Sequence, residues 1–109
     1  MVNKTHLYQR SLQLVALTKT FIDKLPVGFG FLTDQIRRAS SSVVLNFAEG
    51  CSRTSKKERL RYFMIARGSV FEIAAIFDVA KQFKIIDQKL YLQGQDLCDH
   101  VSALLFRYR

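Results

Sequence analysis

The sequence predicts an all-α fold, an up-and-down antiparallel four-helix bundle, and three observations carry that prediction. Apolar residues recur at three- and four-residue intervals through four long segments, the spacing that lines one face of a helix. Helix-stopping and helix-starting chemistry falls at only three places between them, around Pro26, Gly50 to Ser55, and Asp87. One Pro and five Gly among 109 residues are too few turn formers for a many-stranded β architecture. The length implies a single domain, 1–109. A chain of this size buries roughly two-thirds of its unfolded surface, enough for a core without metal or disulfide staples.

The first helix is expected from about Thr5 to Leu25. Leu7, Leu14, Thr18, Phe21, Ile22 and Leu25 line one face, and Leu12 and Val15 widen it. Pro26 ends it, because the residue before a proline is pushed out of the α region. Gly28 and Gly30 then form a plain turn. With no strand before them and no third glycine, they make a poor phosphate-binding loop.

The second helix is expected to start near Thr33, its hydroxyl capping free N–H groups and Asp34 favouring the dipole. Leu32, Ile36, Ala39, Val43 and Phe47 form its buried face, and Gly50 is read as its terminator. The third opens with Ser55-Lys56-Lys57-Glu58, a capping box in which Ser55 and Glu58 satisfy each other's orphan donors. It runs to about Phe83, with Leu60, Phe63, Met64, Val70, Phe71, Ala74 and Phe77 on one side. A second line, Tyr62, Ala66, Ile73, Ile76 and Ala80, exceeds what three neighbouring helices can cover and is assigned to a subunit interface. Gly68 within this helix is read as a close helix crossing, with a harmless surface glycine as the alternative. The fourth helix follows the N-cap Asp87 and runs to about Arg107, with Leu90, Leu97, Val101, Leu104 and Leu105 as its seam.

Catalytic readings fail one by one. His6 and His100 stand apart with no metal-type spacing, and no Glu-x-x-His motif occurs for a bundle-core metal pair. The serines lack a base and an orienting partner. Cys51 at a helix end and Cys98 in mid-helix are placed too far apart for a disulfide, which fits a reducing cytoplasm. The N-terminal residues lack a signal-type apolar region, and no apolar run approaches the roughly 18 residues of a membrane span. The expectation is a cytoplasmic, non-enzymatic protein with no cofactor, no metal and no membrane association.

Charge is the positive clue. Of the net +8, residues 37–67 carry +6, from eight basic side chains against Glu49 and Glu58. Clustered charge makes a field that attracts polyanions. Arg53 to Arg61 holds five cations in nine residues at a helix start, where backbone N–H groups already face phosphate oxygens. No base-reading motif accompanies it, so binding would follow the RNA or DNA backbone; a merely solubilising face is the competing reading. Polar residues among apolar ones, Gln35, Asn46, Glu49, Arg67 and Glu72, are read as a structural lock between the second and third helices. An Arg38–Glu72 or Arg67–carboxylate pair would set its register, with a functional pocket as the alternative.

These same residues carry a family resemblance. Leu32 to Ala39, Ser42-Val43, Asn46, Ala48-Glu49-Gly50, Arg53, Ser55 to Glu58, Ile65 to Ser69 and Glu72 are similar to a known set. That set belongs to the four-helix proteins encoded in intervening sequences of bacterial 23S ribosomal RNA genes. The accessory variability protein of diversity-generating retroelements is a relative. Tyr8 stands where many members have Trp, and the fourth helix is only loosely similar. The resemblance implies a four-helix bundle assembled as a homopentamer. In the retroelement relatives a basic ring binds nucleic acid and a reverse transcriptase. Transferred here, the contacts would fall on Arg37, Arg38, Arg53, Lys56, Lys57 and Arg59. The alternative is a scaffold that recruits a protein partner.

Overall fold

The computed structural model describes residues 2–109, with side chains from Thr5 onward. Four helices follow one another: α1 (Val2–Asp23), α2 (Gly30–Ser52), α3 (Lys56–Gln82) and α4 (Gln88–Arg107). No strand occurs among the described residues. Each helix packs on two others, α1 and α3 both lying between α2 and α4, in a bundle of 45 × 22 × 18 Å. This is the up-and-down four-helix bundle that the spacing predicts.

On α1 the buried positions are Leu7, Ser11, Leu14, Thr18 and Phe21, an alternation of four and three residues. The two hydroxyls are affordable in a core because each donates to its own helix, Ser11 to the Leu7 carbonyl at 2.9 Å and Thr18 to that of Val15 at 2.7 Å. Leu12, expected to widen this stripe, is exposed instead. The expected face of α2 is buried throughout, from Leu32 to Phe47. Phe47 meets Phe63 of α3 at 5.3 Å, and Phe21 meets Phe77 edge-on at 5.4 Å. Burying such a side chain contributes about 1.5–3 kcal/mol.

Helix boundaries required three corrections. First, α2 does not start at Thr33: it begins one turn earlier, at Gly30, with no side-chain cap. Gly28, at φ +102°, turns the chain so that the Leu32 N–H bonds the Phe29 carbonyl, and the Phe29 ring packs edge-on against Phe83. Packing thus does the work assigned to a cap. Second, Gly50 does not end α2, which continues to Ser52. Third, Ser55 does cap α3, accepting from the Glu58 N–H at 3.3 Å, but the Glu58 carboxylate takes a hydrogen bond from Arg61 at 3.2 Å.

The glycines and the α3 stripes also required correction. A β-carbon on Gly50 would lie 2.6 Å from the Phe63 ring, and one on Gly94 would lie 2.5 Å from Phe77. These two, on the helices flanking α3, are the close approaches. Gly68 faces open space and is no crossing within the subunit. Ala66, Ile73, Ile76 and Ala80, assigned to a subunit interface, are buried in the core beside Phe63, Val70 and Phe77. Both predicted lines contribute inward residues because α3 is covered from two sides. The apolar surface left on α3 is Leu60, Ile65, Phe71 and Val79.

Between α3 and α4 the chain closes with two backbone bonds, Lys84 N–H to the Lys81 carbonyl and Ile85 N–H to that of Ala80, both 3.0 Å. This is a Schellman ending, with Lys84 at φ +60° where glycine is usual. Asp87 then caps α4 as predicted, accepting from the Leu90 N–H at 2.7 Å.

Candidate nucleic-acid interface

The topology brings the α2–α3 hairpin and the last turn of α4 to one end of the bundle. A cleft of about 290 Å³ there is lined by Lys56 and Leu60 from the start of α3 and by Arg107 and Arg109 from the end of α4. Arg53, Lys56, Lys57, Arg59 and Arg61 therefore share this end with Arg107 and Arg109, which lie outside the basic cluster of residues 37–67. Glu49 and Glu58 are the acids within the hairpin, and each is engaged: Glu49 with Arg53 at 2.6 Å, Glu58 with Arg61 at 3.2 Å. Among the described residues no acidic side chain lies within ion-pair distance of Lys56, Lys57, Arg59, Arg107 or Arg109.

Arg53 and Arg61 are held by Tyr62 as well. Its ring lies 5.2 Å from the Arg53 guanidinium and 4.6 Å from that of Arg61. The Tyr62 hydroxyl, at 3.3 Å, and behind it Glu49, raise the Arg53 pKa further above the ordinary arginine value. The Arg109 guanidinium stacks 3.5 Å over the Phe106 ring and donates to the Phe106 carbonyl, using orphan acceptors at the α4 end.

The six cations named for nucleic-acid contact do not form one patch. Arg53, Lys56, Lys57 and Arg59 are at the hairpin end, whereas Arg37 and Arg38 lie about 20 Å down α2 at the usual helical rise. Arg38 also makes an open pair with Glu72 at 3.9 Å, both side chains largely exposed. Sequence clustering merged the two groups because position along the chain is not position along the bundle.

The five residues read as a lock are likewise dispersed. Asn46 donates to the Ser42 carbonyl at 2.9 Å and the Ser42 hydroxyl at 3.0 Å, and Glu49 pairs with Arg53. Gln35 is exposed. Arg67 lies 4.9 Å from the Phe71 ring and 4.8 Å from that of Phe106, its Nε buried without a hydrogen-bond partner. The Arg38–Glu72 pair is present as a surface contact. Further polar bonds cross between helices: Ser69 to Ser42 at 2.8 Å joins α3 to α2. Tyr91 and Gln95 both donate to Asp78, at 2.6 and 3.1 Å, joining α4 to α3. Ser42 and Ser69 lie within the residues that carry the family resemblance, but no local motif marked Asp78, Tyr91 or Gln95.

Among the described residues no three or more His, Cys, Asp or Glu side chains gather as a metal site. None of the described helices is long and apolar enough to cross a membrane. Neither Cys51 nor Cys98 is in a disulfide. His6 and His100, read as isolated, come together across α1 and α4. The arrangement at the hairpin end can hold anions, through mobile ammonium groups, forked guanidinium donors and the N–H groups of the first α3 turn.

A family model described as 23S rRNA-intervening sequence protein matches residues 3–107. The fold is similar to that of a crystal structure from Bacteroides thetaiotaomicron VPI-5482, described as a protein with unknown function from the S23 ribosomal protein family. The two agree with a TM-score of 0.80 at 18% sequence identity, over 94% of this chain and 96% of that one. No curated protein matches the chain.

Proposed function

Because the chain belongs to the 23S rRNA-intervening sequence protein family, we propose that it is a non-enzymatic, oligomeric adaptor whose hairpin end binds the phosphate backbone of RNA or DNA. The observation that carries this reading is the convergence of Lys56, Lys57, Arg59, Arg107 and Arg109 at one end with no acidic partner among the described residues. Cations kept only for solubility have no reason to gather or to lie beside a helix N-terminus. Arg53 and Arg61, tied to Glu49, Glu58 and Tyr62, frame the patch and contribute less.

Fluorescence anisotropy with arbitrary RNA and DNA tests it. Binding at low salt should fall steeply as salt rises, and Lys56→Glu with Lys57→Glu should weaken it and flatten the salt slope by about two contacts. Arg37→Glu should have the smaller effect. No binding at low salt would end the proposal.

A second reading, recruitment of a protein partner such as a reverse transcriptase, draws on the apolar side chains left outside the core. Phe71 and Phe106 are 52% and 45% exposed on adjoining helices around Arg67. Self-assembly, for which the resemblance implies a pentamer, would use the same kind of surface. Phe71→Asp with Ile65→Asp should then lower the mass seen in light scattering and leave the helical circular dichroism unchanged.

A further inference from the structure

His6 and His100 are far apart in the chain, and nothing in their local spacing connects them. Because α1 and α4 are antiparallel neighbours, the first turns of one lie beside the later turns of the other. The two rings meet across that seam, centroids 5.6 Å apart and planes tilted by 55°. Two imidazoles bound to one tetrahedral ion through bonds of about 2.0–2.1 Å place their centroids about 5.2 Å apart. The observed spacing differs from that by a few tenths of an ångström, within the reach of small side-chain rotations. Both side chains are exposed, so an ion reaches them without crossing the core.

The surroundings suit a partly hydrated ion. An open cleft of about 700 Å³ between α1 and α4 adjoins the pair, with His100, Asp96 and Gln93 on one wall and Arg10 on the other. Arg10 is turned along its own helix, donating to Gln13 at 2.8 Å. No third protein ligand completes a cluster among the described residues, which leaves water for the remaining coordination positions.

We propose that His6 and His100 form a two-imidazole site for a divalent transition ion of the Zn2+, Ni2+ or Cu2+ type, clipping the start of α1 to α4. Nitrogen ligands select this class over Mg2+ and Ca2+, which take oxygen. The site is independent of the hairpin end and stands whether or not nucleic acid binds there. An ion held by the folded chain and not by the unfolded one stabilises by mass action.

Thermal unfolding of the full chain with ZnCl2, NiCl2, CuCl2 or MgCl2 tests it. At a transition-ion concentration one hundred times Kd, Tm should rise by roughly 10 °C, and Mg2+ should do nothing. His6→Gln and His100→Gln should each remove the rise while leaving the metal-free Tm near that of the parent. A second readout needs no variant. The chain has two histidines, and on Zn2+ titration both sets of ring resonances should move along one shared binding curve. The proposal is overturned by no Tm rise, by a rise that survives both substitutions or vanishes only with Cys51→Ser, or by a response confined to one ring. The last outcome would leave the two rings as an ordinary tilted aromatic pair.

Discussion

The ring of Phe77 fills the space where a side chain on Gly94 would begin, 2.5 Å from that β-carbon position. Another phenylalanine of the same helix, Phe63, does the same to Gly50 of α2. α3 is thus seated between its neighbours by two large rings, each set into a glycine. Gly94→Ala should destabilise by about 1–3 kcal/mol, because a buried ring must leave its rotamer or the helices must part. Gly68→Ala, where nothing lies within contact distance, should stabilise by up to about 1 kcal/mol from helix propensity alone. Urea unfolding of the two variants compares them directly, and equal effects of one sign would contradict the packing described.

Lys84 adopts φ +60° to end α3, a conformation that costs an L-residue roughly 1–2 kcal/mol. Lys84→Gly removes that cost and adds some unfolded-state entropy. A net gain of about 0.5–1 kcal/mol is expected, read as a higher urea midpoint with unchanged m-value. A loss would mean that the Lys84 side chain holds the turn.

The Asp87 carboxylate is held below its usual pKa of 3.8, chiefly by the Leu90 N–H and then by Lys24, which approaches to 3.5 Å. A carboxylate depressed in the folded state stabilises it above the unfolded pKa, and that contribution fades as pH falls through the folded value. Asp87→Ala should therefore lower Tm at pH 7, and the gap from the parent should close in strongly acidic solution. Asp87→Asn, which retains a capping oxygen, should lower Tm less at pH 7. A pH-independent gap for Asp87→Ala would assign the effect to packing.

Burial pushes the Cys98 thiol up to about 12, so almost no thiolate forms at neutral pH. Modification of the native chain by a thiol reagent should leave Cys98 untouched until the bundle unfolds, while half-buried Cys51 reacts earlier. Equal rates at the two positions would show that α4 opens locally.

Where local chemistry acts between adjacent residues, the structure agrees with the sequence reading. Ser55 and Asp87 cap their helices because a side-chain oxygen three residues before a free N–H needs no outside help. Thr33 had the same chemistry and does not cap, because the Gly28 turn and the contact of Phe29 with Phe83 start the helix earlier. Ile73 and Ile76 could not be told from surface residues by periodicity, since a helix covered on two sides buries more than one stripe. The basic end was visible as a cluster, but Arg107 and Arg109 joined it and Arg37 left it only when the chain was folded back on itself.

Composition, periodicity and caps were enough to establish four helices, their order and one strongly cationic segment. All of these depend on interactions within a few residues, which a linear string records. Which glycine receives which ring, which cations share an end and which histidines meet depend on packing between residues distant in the chain. Those relations exist only after hydrophobic burial has set the rotation and axial offset of each helix, and no local spacing encodes either.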